Sequence, residues 1–358
     1  MDGAGPVEGE GAATRPGLSV AEVALRGVVS ALPHRRVTNE VFVDRFGEGP
    51  VADVVKMIGV ESRHWVDEGQ TTADLCEAAA RRLLQRLDWA PDSVDALIFV
   101  SQTPDHRMPA TACVLHGKLG LGPSCQAFDV GQGCSGYVYG LWLASALIKA
   151  GCRRVVLLAG DTISRVVDFN DRGTALLFGD AGTATALEFE AGAPPWHFVL
   201  GTDGAGARNL IVQSGGFRPF MDDPRMPEGF DQACLFMDGG EVFTFTLKAV
   251  PKLIKEALDD AGLAIGDLDA LVAHQANRFM LRHIGKKVGI DPERMPINID
   301  RYGNTSSASI PLVLTTDLAE RITSAPSRVM GVGFGVGYSW GAVVLPLGPL
   351  TCAETLVL

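Results

Sequence analysis

The stretch Ala80–Thr103 reads ARRLLQRLDWAPDSVDALIFVSQT, and Pro251–Asn277 reads PKLIKEALDDAGLAIGDLDALVAHQAN. Each begins as an amphipathic helix, passes through an acidic turn and reaches Asp-Ala-Leu followed by an apolar strand. Leu83, Leu84 and Leu87 mark one helix face, and Leu253, Ile254, Ala257 and Leu258 mark its counterpart at helical spacing. Two stretches alike in order and in element type predict a duplicated chain. Further strands are expected at Arg153–Asp161, Thr183–Phe189 and Trp340–Leu345. Strands alternating with helices imply an α/β fold whose sheets are covered on both faces. In such folds chemistry gathers beyond the carboxyl ends of the strands.

The full sequence has 358 residues, 47% of them apolar and 20% charged, with 42 glycines and a net charge of -11. That length and composition can bury a large core. The acidic balance argues against nucleic acid or an anionic membrane as partner. No run approaches the roughly 18 consecutive apolar residues that span a bilayer. Residues 1–19 are rich in Gly, Pro and Glu and are expected to form a disordered tail, not a secretory signal. The seven cysteines are widely spaced without a C-x-x-C pair, which argues against a disulfide framework or a zinc site. Such thiols suit the cytoplasm.

The segment Cys125–Gly151, CQAFDVGQGCSGYVYGLWLASALIKAG, carries the sharpest chemical signal. A short strand, Ala127–Val130, runs into Gly131, Gly133 and Gly136 and then a helix with Gly151 as its stop. Cys134 therefore stands on a strand-to-helix turn, the arrangement of a nucleophile elbow. Unpaired N–H groups at the helix start favour a thiolate, and the Cys134 N–H can face a developing oxyanion. A free cysteine is more often a small buried hydrophobe. The glycine-flanked turn sets Cys134 apart from Cys76, Cys113, Cys125, Cys152, Cys234 and Cys352.

In the second half, His274 closes the strand LVAHQAN, and Asn304 lies in the turn DRYGNTSSASIP. Either alone reads as a capped strand end or an Asx turn. Together, His Nε2–H and Asn N–H₂ are two neutral donors able to hold one enolate oxygen, each worth about 3–4 kcal/mol.

AFDVGQGCSG, DRGTALLFGDAGTA, HQAN, GNTSSAS and GFGVGYSWG follow one another in the order and spacing of the β-ketoacyl-[acyl-carrier-protein] synthase III (FabH-like) group of the thiolase superfamily, which the chain resembles over about residues 20–347. The resemblance implies a thiolase-like five-layered αβαβα sandwich built from two duplicated halves, residues 20–195 with the nucleophile and 196–358 with the His and Asn. It implies an acyltransferase that loads a primer on Cys134 and joins it to a malonyl-type thioester by decarboxylative Claisen condensation, in fatty acid or specialised-metabolite biosynthesis. His274 and Asn304 would be the decarboxylation donors, and Phe334 the aromatic beside them. The Gly335–Val336–Gly337 loop would give the second oxyanion N–H. No cofactor or metal is required. Chalcone-type synthases, thiolases and hydroxymethylglutaryl synthases match less well. Two departures stand out. An aromatic and a basic residue that clamp the adenine of coenzyme A in many members fall here near Asp53 and Met57, whereas Arg172 keeps a nucleotide-contact position. In PDHRMP, an aromatic that reaches into the partner subunit's acyl pocket is replaced by Met108, which implies a roomier pocket.

Arg278, Arg282 and Lys286 fall at i, i+4 and i+8 on one helix, with Lys287 adjacent. A charge row of this kind reads either as a solvated face or as a dock for an acidic acyl carrier protein. The expected partners are an acyl-CoA or acyl-carrier donor, a malonyl-type thioester and a second copy of the chain in a homodimer. Two rival readings remain: a FabH-like acyltransferase or alkylquinolone/pyrone-type synthase, and a catalytically silent carrier-binding subunit.

Overall fold

A computed structural model describes residues 18–358. In chain order its main elements are β1 (Leu18–Val20), β2 (Val23–Leu32), α1 (Glu48–Ile58), α2 (Thr72–Leu87), β3 (Ala96–Val100), α3 (Thr111–Leu119), β4 (Gln126–Val130), α4 (Gly136–Lys149), β5 (Arg154–Asp161), β6 (Ala181–Phe189) and β7 (Trp196–Thr202). They continue with α5 (Gly239–Ala261), β8 (Ala270–Ala273), α6 (Arg278–Val288), α7 (Ser309–Thr315), β9 (Ser327–Gly335), β10 (Ser339–Leu347) and β11 (Cys352–Val357). The strands sort into a first sheet ordered β11-β2-β6-β5-β3-β4 and a second ordered β1-β7-β10-β9-β8.

Strand alternation decides what fills each face. In β3, Ala96, Ile98 and Val100 point into the core shared by the two sheets, while Leu97 and Phe99 pack under α2 and α3. In β8, Ala270 and Val272 face the shared core, while Leu271 and Ala273 pack under α5 and α6. The shared core is filled by α4 through Val138, Leu141 and Ile148, and by α7 through Ile310, Val313 and Leu314. The layers are therefore α2/α3, first sheet, α4/α7, second sheet and α5/α6. Helices buried between two sheets must be apolar all round, and α4 is mostly so.

The two stretches that read alike also fold alike. Each helix leads through one 3₁₀ turn, Pro91–Ser93 or Ile265–Asp267, into its strand. The aspartate of each Asp-Ala-Leu has one job in both. Asp95 Oδ2 accepts the Arg153 and Arg154 N–H groups at 2.7 and 2.9 Å, and Asp269 Oδ2 accepts the Arg328 N–H at 2.7 Å. Each carboxylate thus ties the start of the neighbouring parallel strand, β5 or β9.

Two expectations about boundaries need correction. The tail expected over 1–19 lies outside the described residues as far as 17, but Leu18 and Ser19 belong to β1, which pairs with β7. The range 196–358 does not stay with the second sheet, because β11 returns to pair with β2 in the first. The helix of the second repeated stretch runs back to Gly239, with the Asp238 carboxylate accepting the Glu241 N–H as its cap. Pro251 is buried inside that helix.

Where the halves meet, backbone approaches backbone. Gly303 has φ +67°, and a Cβ there would stand 2.7 Å from the Leu177 carbonyl oxygen. Gly262, the C-cap of α5, has φ +66° with nothing near it. Replacing Gly262 with Ala should cost about 1 kcal/mol, and Gly303→Ala about 3 kcal/mol or more. Denaturant unfolding of the two variants checks this, and equal losses would mean that the Leu177 contact relaxes freely.

Candidate active site

A cavity of about 420 Å³ brings together Cys134, His274, Asn304, Phe334 and Gly335, residues from both halves. Its remaining wall is largely apolar, with Phe178, Leu210, Phe243 and Met280 among its residues.

Cys134 lies between the end of β4 and the start of α4. The three glycines around it are not equivalent. A Cβ at Gly133 would meet Gln102 Oε1 at 2.3 Å, and one at Gly136 would meet Val100 Cγ1 at 2.5 Å, whereas Gly131 has open space. The approach to Cys134 itself comes from the opposite half. A Cβ on Gly335, which has φ +156°, would stand 2.7 Å from Cys134 Cβ and 2.9 Å from Sγ. A Cβ on Gly333 would stand 2.8 Å from Ser135 Cα. Glycine at these positions lets the end of β9 lie directly on the elbow. A hydroxyl pair pins the contact: Ser135 Oγ and Ser339 Oγ are 2.7 Å apart, and Ser339 Oγ donates to the Val336 carbonyl at 2.8 Å.

The elbow does not make Cys134 a resting thiolate, as the helix-start argument expected. Burial pushes its thiol up to about 11, and the Val336 N–H, the Ser306 hydroxyl and its own N–H only partly offset this. Two backbone N–H groups, those of Val336 and Cys134, thus reach the sulfur.

His274 follows β8 and is 1% exposed. Burial pulls its imidazole down to about 4, so it is neutral at physiological pH. Its ring meets Phe334 edge to face, with centroids 5.4 Å apart at 80°. Its neighbours in HQAN hold the backbone. Gln275 Oε1 accepts the Asn298 N–H at 3.0 Å, and Asn277 Oδ1 caps α6 by accepting the Phe279 and Met280 N–H groups.

Asn304 is fixed on both sides. Its N–H donates to the Leu177 carbonyl at 2.9 Å, and its carbonyl accepts the Gly179 N–H at 3.1 Å. Its Oδ1 accepts the Ser306 N–H at 2.9 Å, which leaves the Nδ2 amino group to face the cavity. Ser306 adopts φ +51°, a left-handed conformation that costs about 1–2 kcal/mol outside glycine. The next residue explains how it is held. Asp161, at the end of β5, accepts the Ser307 hydroxyl at 3.0 Å, the Ser101 hydroxyl at 3.1 Å and the Gln102 N–H at 2.7 Å. Sequence reasoning saw Asp161 only as the polar end of an apolar strand; that position was its signal.

The other expected residues scatter. Val336 and Gly337 border a second cavity of about 450 Å³, walled mainly by Ile163, Val166, Ile211, Val212 and Leu235. Leu210 lines both cavities. Met108 is 77% exposed and lines neither cavity. Arg172 is exposed beside Gly173, which lines the first cavity, and Met57 stands in that cavity's wall. The basic row divides. Arg278 lies over Gly59 and within 3.7 Å of Glu61, and Lys287 donates to the Leu247 carbonyl. Arg282 and Lys286 are exposed and have no ion pair among the described residues.

Two family models match the chain: 3-oxoacyl-[acyl-carrier-protein (ACP)] synthase III over residues 128–204, and its C-terminal model over residues 258–347. The chain is 33% identical over 329 residues to a β-ketoacyl-[acyl-carrier-protein] synthase III of Caldanaerobacter subterraneus subsp. tengcongensis, covering 89% of this chain and 96% of that protein. A crystal structure of a 3-oxoacyl-(acyl-carrier protein) synthase from Burkholderia xenovorans LB400 superposes with a TM-score of 0.94 at 52% identity, covering 96% of this chain and 99% of that one. A 3-oxoacyl-(acyl carrier protein) synthase III from Pseudomonas aeruginosa PAO1 does so with a TM-score of 0.81 at 31% identity, covering 91% and 98%.

The buried thiol has a direct chemical readout. Alkylation of Cys134 by iodoacetamide, with the Cys134→Ala protein subtracting the other thiols, should keep accelerating past pH 10, because the thiolate fraction grows up to about 11. A plateau near the ordinary cysteine value of about 8.5 would overturn the assignment.

Proposed function

This chain belongs to the 3-oxoacyl-[acyl-carrier-protein] synthase III family, and from that premise we propose how its own residues perform a decarboxylative condensation. The observation that carries the reading is the meeting of Cys134, His274 and Asn304 in one apolar cavity with two backbone N–H groups at the sulfur.

Cys134 Sγ attacks the carbonyl carbon of an acyl thioester. The N–H groups of Cys134 and Val336 receive the oxyanion, the thiol proton ends on the departing thiol, and the acyl group stays on sulfur. A malonyl-type thioester enters next. Its carboxylate leaves as CO₂, and the bonding pair moves into an enolate whose oxygen is held by His274 Nε2–H and Asn304 Nδ2–H. Neutral donors suit this step, because a charged imidazole in so dry a site would add a large desolvation cost. The enolate carbon attacks the acyl carbon, the β-keto thioester departs, and the Cys134 thiolate takes up a proton. Covalent catalysis thereby divides one difficult step into two.

The second cavity, reached past Val336, is the proposed seat of the primer's acyl chain, and its apolar wall favours chains longer than acetyl. Met108, exposed on its own protomer, is proposed to close that cavity on a partner copy. Arg282 and Lys286 support delivery of at least one thioester by an acidic carrier protein. Arg278 and Lys287 are engaged within the chain and contribute less.

Intact-protein mass spectrometry with a panel of acyl donors should give an adduct on the wild type that is absent from Cys134→Ala and is discharged by a malonyl thioester. Asn304→Ala should keep the adduct and lose about 10²–10³ in discharge rate. An adduct that no malonyl thioester discharges would replace condensation with simple acyl transfer. Reversing charge at Arg282 and Lys286 together should raise KM for a carrier-bound substrate about tenfold and leave small thioester analogues unchanged. Equal effects on both would remove the docking role.

A further inference from the structure

The reaction just described needs a proton on His274 Nε2, and a neutral imidazole has only one N–H to place. Its other nitrogen decides the matter. Nδ1 lies 2.7 Å from Ser309 Oγ, and that same Oγ lies 2.8 Å from the Ser306 carbonyl oxygen. Ser309 has a single hydroxyl proton. Turned to the Ser306 carbonyl, the hydroxyl can only accept from the ring, so the proton sits on Nδ1 and Nε2 is a bare acceptor. Turned to Nδ1, the hydroxyl donates to the ring, and Nε2 carries the proton. The two arrangements exclude each other. His274, Ser306 and Ser309 are each no more than 2% exposed, so bulk water does not substitute for the hydroxyl.

We propose that Ser309 is a positioning residue whose hydroxyl, by donating to Nδ1, holds His274 in the tautomer that donates from Nε2 to the enolate. The inference rests on the condensing role given above to His274. The backbone prepares the switch. Ser306 is held in its left-handed conformation by Asn304 Oδ1, and Ser307 is held by Asp161, so the competing carbonyl stays within reach of both Ser309 and the ring. Without the hydroxyl, that carbonyl is the partner left for Nδ1. The ring then donates from Nδ1, and Nε2 is left bare.

The test compares Ser309→Thr with Ser309→Val, which share a shape and differ in the hydroxyl, alongside Ser309→Ala. Cys134 acylation and CO₂ release from a malonyl thioester are measured separately, and ¹⁵N NMR of histidine-labelled protein reads which ring nitrogen is protonated. Ser309→Val and Ser309→Ala should release CO₂ about 100-fold more slowly while acylation stays within about threefold. Their protonated nitrogen should be Nδ1. Ser309→Thr should retain both the wild-type rate and Nε2–H. Undiminished CO₂ release in Ser309→Val, or an unchanged tautomer, would overturn the proposal. So would equal losses in both half-reactions, since those indicate damaged packing. A wild-type enzyme that forms the adduct but releases no CO₂ would sink the condensing role itself, and the tautomer measurement would still decide the part played by Ser309.

Discussion

A single buried carboxylate joins the two halves at the reacting atoms. Asp161 is 0% exposed, and its partners come from the β3 exit on one side and from the Asn304 loop on the other. Burial raises its pKa, and the hydrogen bonds it accepts oppose that shift. A carboxylate so placed is tolerable only while its donors stay put. That requirement fixes Ser307, which holds Ser306, which in turn orients the Asn304 amide. The geometry of the cavity is thus a consequence of satisfying one buried carboxyl group in a dry place.

The chemistry of the cavity follows the same logic of neutrality. Burial keeps the thiol protonated and the imidazole uncharged, so no ionised group is held ready at rest. In the proposed mechanism charge arises only during reaction, beside N–H groups already in place. Preorganised donors in a low-dielectric pocket need little rearrangement when the charge appears. The close approach of Gly335 to Cys134 supplies part of this, because a side chain there would displace the Val336 N–H from the sulfur.

Much of the architecture was legible in local pattern. Strands alternating with helices predicted sheets covered on both faces, because each face had to be covered by something apolar, while the five-layered order followed from the resemblance. The repeated Asp-Ala-Leu carried more than its pattern suggested, since Asp95 and Asp269 make corresponding strand ties. Cys134, His274 and Asn304 were legible because each sits at an element end beside a turn. The state of the thiol was not, because a helix start argues for a thiolate while burial depends on what the other half lays over it. The hydrogen bonds of Asp161 and Ser309 were hidden for the same reason. Their partners lie 146 and 35 residues away, and no local spacing reports such contacts. The exchange of terminal strands between sheets was also illegible, since a short strand does not announce its partner.

That exchange has a consequence for how the protein is made. The Cα pairing of Gly27 with Cys352 joins β2 to β11 across almost the whole chain. Until β11 leaves the ribosome, β2 is an uncovered sheet edge, and such an edge is a template for pairing with other chains. Contacts so far apart in sequence also close slowly. The nucleophile half can therefore collapse early around α2 and α4 but cannot seal its own border until β11 is made.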